Sequence, residues 1–189
     1  FLAANPNNAA GLAMRASVAL RTGEPAAEAT ALIERATKAD PLDVNAWLML
    51  MSRHFNAGDV QAALVASQSA NVAVPDNVQI MEMTGRIQLK SGDLRQANKT
   101  FSDLTRIAPR SASGHMGLAA ALLAANELEA AAKAVQRLVE IDPRSAEALR
   151  MAAEIATRRR QYPEAMAIAR NLQKLYPNDA VGFAMEGEV

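Results

Sequence analysis

The chain has 189 residues, twenty basic and twenty acidic side chains, four per cent aromatic residues and no cysteine. It therefore lacks the net positive charge that tracks a phosphate backbone, the rings that stack on bases, and the thiols needed for disulfide or thiolate chemistry. Nucleic acid is not an expected partner, and the missing cysteines leave the redox compartment open.

Residues 1–8 read as the tail of a second helix that belongs to a preceding unit. Apolar spacing then predicts helices in pairs: 9–22 with 26–38, 44–57 with 60–72, 78–91 with 94–107, 112–125 with 128–140, and 146–159 with 162–174. The stretch 92–109 shows the grammar. Gly92-Asp93 opens it, Leu94, Ala97, Phe101, Leu104 and Ile107 form one apolar stripe, and Pro109 stops it. Residues 180–189 read as the opening of one more first helix. Both ends thus have the look of a longer array continued beyond them, with no polar capping unit, and apolar ends of this kind are expected to stack end to end. The longest small-apolar run, 117–125, falls far short of the ~20 residues that span a bilayer.

The pairs repeat. Pro41, Pro75, Pro109, Pro143 and Pro177 stand 34 residues apart, and Pro6 precedes Pro41 by 35. Six residues after the prolines come Leu12, Trp47, Met81, His115, Leu149 and Phe183, and ten after come Ala16, Met51, Gly85, Ala119, Ala153 and Gly187. Seventeen after come Gly23, Gly58, Gly92, Asn126 and Arg160, where a first helix ends and the chain turns. An alanine recurs in each second helix at Ala29, Ala63, Ala97, Ala131 and Ala165. A large residue, a small one a turn later and a buried alanine are what close antiparallel helix packing requires.

This pattern resembles the tetratricopeptide repeat over the whole chain. The resemblance implies an all-α solenoid, a right-handed superhelix of antiparallel helix pairs. Its full repeats would be 9–43, 44–77, 78–111, 112–145 and 146–179, with 1–8 and 180–189 as partial ones. Two departures stand out. His54 takes a place usually held by an aromatic ring, and His115 replaces the large apolar residue six after the proline, so both units are expected to pack less tightly.

The resemblance also implies that first helices line a concave face that binds a protein or peptide segment. Met14, Met49, Met83, Met151 and Met185 all lie eight residues after a proline, and Met116 lies at seven in the unit that lacks one. Flexible thioethers adapt to varied apolar partners and equally serve as core filler, so groove lining and inter-helix packing both stand as readings of this line. Around it fall Asn45, Ser52, Asn56, Gln79, Glu82, Arg86, Lys90, Glu147, Arg150, Glu154 and Arg158, an expected groove that is polar in the middle and carries both charges toward the C-terminal units. The Lys and Asn clamp of chaperone-binding repeats is missing, because Ala13, Ser17, Met49, Gln79 and Met83 stand at its places.

No chemistry-bearing motif competes with this reading. His54 and His115 have no carboxylate or second histidine one turn away, so no metal site is expected. Arg158, Arg159 and Arg160 close a first helix, where cations complement the helix dipole. There is no phosphate-cradling glycine loop and no nucleophile beside a base, so neither an enzyme nor a cofactor is expected.

A narrower resemblance rests on Pro6-Asn-Asn-Ala-Ala-Gly, Pro109-Arg-Ser-Ala-Ser-Gly and Pro177-Asn-Asp-Ala-Val-Gly. This phrasing is similar to the repeat lipoproteins of PEP-CTERM and exosortase systems. It implies a periplasmic scaffold in exopolysaccharide production or surface-protein sorting. The alternatives are the periplasmic repeat region of an outer-membrane exporter of cellulose, alginate or Pel type, and a cytoplasmic regulatory module.

Overall fold

The computed structural model describes residues 5–177. They form ten α-helices: α1 (Ala9–Thr22), α2 (Ala26–Ala39), α3 (Val44–Asn56), α4 (Val60–Ala73), α5 (Val78–Ser91), α6 (Leu94–Ile107), α7 (Ala112–Ala124), α8 (Leu128–Ile141), α9 (Ala146–Arg158) and α10 (Tyr162–Leu175). No predicted boundary misses its observed one by more than a residue. The further first helix expected from residue 180, with Phe183, Met185 and Gly187, lies outside the described residues, as does the first half of the tail over 1–8.

Two short signals write each connection. Two residues after Pro6, Pro41, Pro75, Pro109 and Pro143 stands a capping side chain that accepts from the first exposed N–H groups of the next helix. Asn8 receives Gly11 N at 2.8 Å, Asp43 receives Asn45 N at 2.9 Å, Asn77 receives Gln79 N at 3.0 Å, Ser111 receives Gly114 N at 3.0 Å and Ser145 receives Ala148 N at 3.2 Å. At the other end, the seventeenth residue after the proline turns left-handed. Gly23, Gly58 and Gly92 have φ of 75°, 78° and 81°, and Asn126 and Arg160 have 59° and 60°. An arginine in that region carries a Cβ–carbonyl conflict that glycine avoids. Arg160→Gly is accordingly expected to raise stability by about 1 kcal/mol, read as a higher urea midpoint with an unchanged m-value.

The chain forms two compact units, residues 1–93 and 94–189. In the first, α1 packs on α2, α3 on α4, and α5 on both α3 and α4. Its main core joins Trp47, Leu50, Met51 and Ile80 with Ile33, Ala63 and Ile87. In the second, α6 packs on α7, α7 on α8, α8 on α9 and α9 on α10, around Leu122, Val135, Met151 and Ile155. The repeated alanines Ala29, Ala63, Ala97, Ala131 and Ala165 are all fully buried, which is what lets neighbouring backbones approach. Arg15, in the middle of α1, holds Glu24 just past its end through two hydrogen bonds of 3.1 and 2.6 Å, and this pairing lowers the carboxyl's pKa from its ordinary value.

The expectation of loose packing at His115 is corrected. Its side chain is 9% exposed, the same as Trp47. Its Nε2 lies 2.9 Å from Pro109 O, just as Trp47 Nε1–H donates to Pro41 O at 2.8 Å. The imidazole keeps the polar contact of the indole, tying the helix to the proline that precedes it, so the exchange costs ring area but no buried hydrogen bond. The His54 side chain is half-buried and lines a cavity of about 410 Å³ with Ala27, Ala31 and Asp59, and His115 borders one of about 380 Å³ with Arg137 and Ile141.

Candidate functional site on the first helices

In unit 1 the first-helix face collects Asn45, Ser52 and Asn56 from α3 with Gln79, Glu82, Arg86 and Lys90 from α5. Asn45, Asn56, Gln79, Arg86 and Lys90 are exposed, while Ser52 and Glu82 are half-buried. A residue that the sequence reading passed over sits among them. The Phe55 ring lies under two cations, with Lys90 Nζ 4.3 Å and Arg86 Cζ 5.8 Å from its centroid. Lys90 Nζ also donates to Phe55 O at 3.0 Å.

The repeat period explains this shelf. Phe55 stands fourteen residues after Pro41, and Arg86 and Lys90 stand eleven and fifteen after Pro75. Packing α5 beside α3 in the same register therefore sets the last turn of one helix beside the last turn of the next. The ring quadrupole attracts both cations, and the C-terminal carbonyl of α3 takes one ammonium proton. The signal was present in the sequence as a phenylalanine near the end of one first helix and two cations near the end of the next. It becomes readable only once the helices are stacked.

Unit 2 repeats half of the device. Arg158 Nη1 donates to Leu123 O at 3.0 Å, again across 35 residues onto the end of the preceding first helix. The helix-end role expected for Arg158 thus reaches the preceding helix as well as its own. The charges foreseen on α9 are arranged as pairs along it. Glu147 pairs with Arg150, and Glu154 with Arg158 at 3.3 Å. Spacings of three and four residues place opposite charges side by side, so much of their field is spent within the helix.

The methionine line divides. Met83 and Met151 are buried in the two cores, Met49 and Met116 are half-buried against them, Met14 is 71% exposed, and Met185 lies outside the described residues. The unit without a methionine at this register explains the packing. There stands Gly117, and a Cβ built on it would meet Phe101 Cε1 at 2.2 Å. Phe101 is fully buried, and its ring occupies the space over that backbone. In the same register, Ser67 goes with Met83 and Val135 with Met151. The smaller side chain on the second helix is matched with the larger one on the next first helix.

Among the described residues, no group of three or more His, Asp or Glu is placed to hold a metal ion, and no helix is long and apolar enough to cross a membrane. The surface instead offers amide side chains, a ring and clustered cations along one face. Amides can both donate to and accept from an extended backbone, and the cations are donors to carboxylate or carbonyl oxygens.

The family model of the tetratricopeptide repeat matches residues 1–44, 13–77, 82–146 and 131–180. No curated sequence matches the chain. Among solved structures the fold is similar to that of YrrB, a TPR protein with an unusual peptide-binding site. The two share 15% identity over 98% of this chain and 95% of that one, with a TM-score of 0.79. MamA from Desulfovibrio magneticus RS-1 is similar at 19% identity, 90% and 96% coverage and a TM-score of 0.80. PilF of Pseudomonas aeruginosa is similar at 18% identity, 100% and 85% coverage and a TM-score of 0.77. With the family model spread over nearly the whole chain and the helix-pair architecture in place, the chain belongs to the tetratricopeptide repeat family, whose arrays are non-catalytic scaffolds for protein or peptide partners.

Proposed function

We propose that the first-helix face of unit 1 holds a segment of a partner protein, with Phe55, Arg86 and Lys90 as its anchor and Asn45, Asn56 and Gln79 as backbone-reading groups. The observation that carries this reading is the shelf itself. Arg86 and Lys90 are long exposed side chains that ordinarily lose entropy on binding, and the Phe55 ring below them reduces that loss by holding both in place beforehand. A partner residue with a carboxylate or a free carbonyl meets donors already in position. That YrrB, similar in fold, is described by its peptide-binding site fits this assignment.

The setting we propose is a bacterial exopolysaccharide or PEP-CTERM surface-sorting system, with the protein in the periplasm, anchored as a lipoprotein. The recurring Pro-x-x-Ala-x-Gly phrase at Pro6, Pro109 and Pro177 supports it. Affinity capture from a whole-cell extract, comparing the wild type with Phe55→Ala/Arg86→Ala, tests both parts. A component of an export or sorting machine retained by the wild type and lost by the variant is the expected result. Equal retention by both removes the shelf from the binding site, and a partner of cytoplasmic type removes the setting.

A further inference from the structure

The charges of unit 1 are sorted by helix type. Its first helices α1, α3 and α5 carry Arg15, Arg21, Arg53, Arg86 and Lys90 against the single acid Glu82, while every other acid of residues 1–93 stands on α2 or in a connection between helices. Three of those in the connections are tied to backbone: Asp40, Asp43 and Asp59 accept from Leu42 N, Asn45 N and Ala62 N. Unit 2 is not sorted in this way. Its α7 carries no Asp, Glu, Lys or Arg, and the charges of α9 cancel in pairs.

Two of the five cations are turned elsewhere. Arg15 holds Glu24, and Arg53 lines the cavity it shares with Glu34 and Asp59. Arg21, Arg86 and Lys90 remain, all three exposed. Among the described residues of unit 1 the one ion pair is that of Arg15 with Glu24, so the cations of the shelf are held by a ring and a carbonyl and not by an acid. An ammonium with one proton on Phe55 O keeps two donors, and a guanidinium lying near a ring keeps its fork.

Their register sets a span. Arg21 and Lys90 each stand fifteen residues after a proline, Pro6 and Pro75, and Asn56 holds the same place on the intervening α3. Neighbouring packed helices stand about 10 Å apart, so the two ends of this row are separated by roughly 20 Å, the reach of about six extended residues.

We infer, building on the reading of the shelf as a partner-binding site, that the segment held there is acidic and internal to its own chain. One Asp or Glu side chain meets Arg86 and Lys90, a second about six residues away meets Arg21, and Asn56 contacts the backbone between them. Cations without an acid of their own select carboxylates. Two separated cation positions take two of them, which the single carboxylate of a chain terminus does not supply.

The test is a selection of random twelve-residue peptides, displayed with fixed sequence on both sides, against the full chain and in parallel against Arg21→Glu and Lys90→Glu. The wild type is expected to enrich peptides with two acids about five to seven positions apart. Each reversal should exchange one of the two acids for Lys or Arg and keep the other, a change that no folding defect produces. Enriched peptides measured by fluorescence anisotropy should bind about two- to fivefold more weakly to Arg21→Ser or Lys90→Gln, the worth of one exposed ion pair, and the difference should shrink at high salt. Enriched peptides that lack acids but depend on Phe55 and Arg86 overturn the acidic segment and leave the shelf as a binding site. Acidic peptides bound equally by the wild type and Phe55→Ala/Arg86→Ala overturn the shelf itself. A single enriched acid with no response to Arg21→Glu overturns the span, and no enrichment overturns segment and shelf together.

Discussion

Gly117→Met, which restores the methionine seen at this register in the neighbouring repeats, is expected to lower stability by about 3 kcal/mol, read from urea unfolding. The first carbon of the new side chain would stand 2.2 Å from a ring carbon of Phe101. That ring is fully buried, so it can yield only by displacing the core of its own unit. The rescue is specific. Adding Phe101→Ser reproduces the Ser67 and Met83 combination found one repeat earlier, and the double variant is expected to recover part of the loss although Phe101→Ser alone is destabilising. Two residues that share one space give a coupling energy in a double-mutant cycle, and independent residues give none. Additive effects would show that the ring and the glycine do not compete for one volume.

Met83→Ala and Met151→Ala are each expected to cost about 2 kcal/mol or more. Both side chains are buried and each belongs to the core of its unit. Met14→Ala, at a side chain 71% exposed, should change stability by less than about 0.5 kcal/mol. Separate melting curves for the three variants make the measurement. A flat response at Met83 and Met151, with loss of partner binding, would return those methionines to the groove.

The repeat made most of the architecture legible. Five buried alanines, five turns with positive φ and the bounds of ten helices all follow from counting residues after a proline, because a packed helix pair fixes which positions meet. His115 shows where counting by residue type fails. Read as a polar intruder it implied loose packing, yet its ring nitrogen reaches the carbonyl that Trp47 reaches in another repeat. Side-chain class missed what side-chain geometry preserved.

The candidate site was half legible. Arg86 and Lys90 fall eleven and fifteen residues after Pro75, places that the resemblance to the repeat family assigns to the inner face. The residue that organises them, Phe55, lies on the preceding helix, and its proximity is a property of stacked repeats. The same holds for Arg158 and Leu123, which meet across 35 residues. The α9 charges were read correctly as present, but their pairing within the helix makes them less available to a partner than a count of charges suggests.

The central claim, that partners are held on the first-helix face of unit 1, is tested most directly by site-specific photocrosslinking in cells. A photoreactive phenylalanine analogue is placed at Gln79 on that face or at Val72 on α4, both exposed. The account predicts a discrete crosslinked partner from Gln79 that disappears when Phe55→Ala/Arg86→Ala is added, and none from Val72. A partner crosslinked from Val72 and not from Gln79 would place recognition on the second helices and contradict the account.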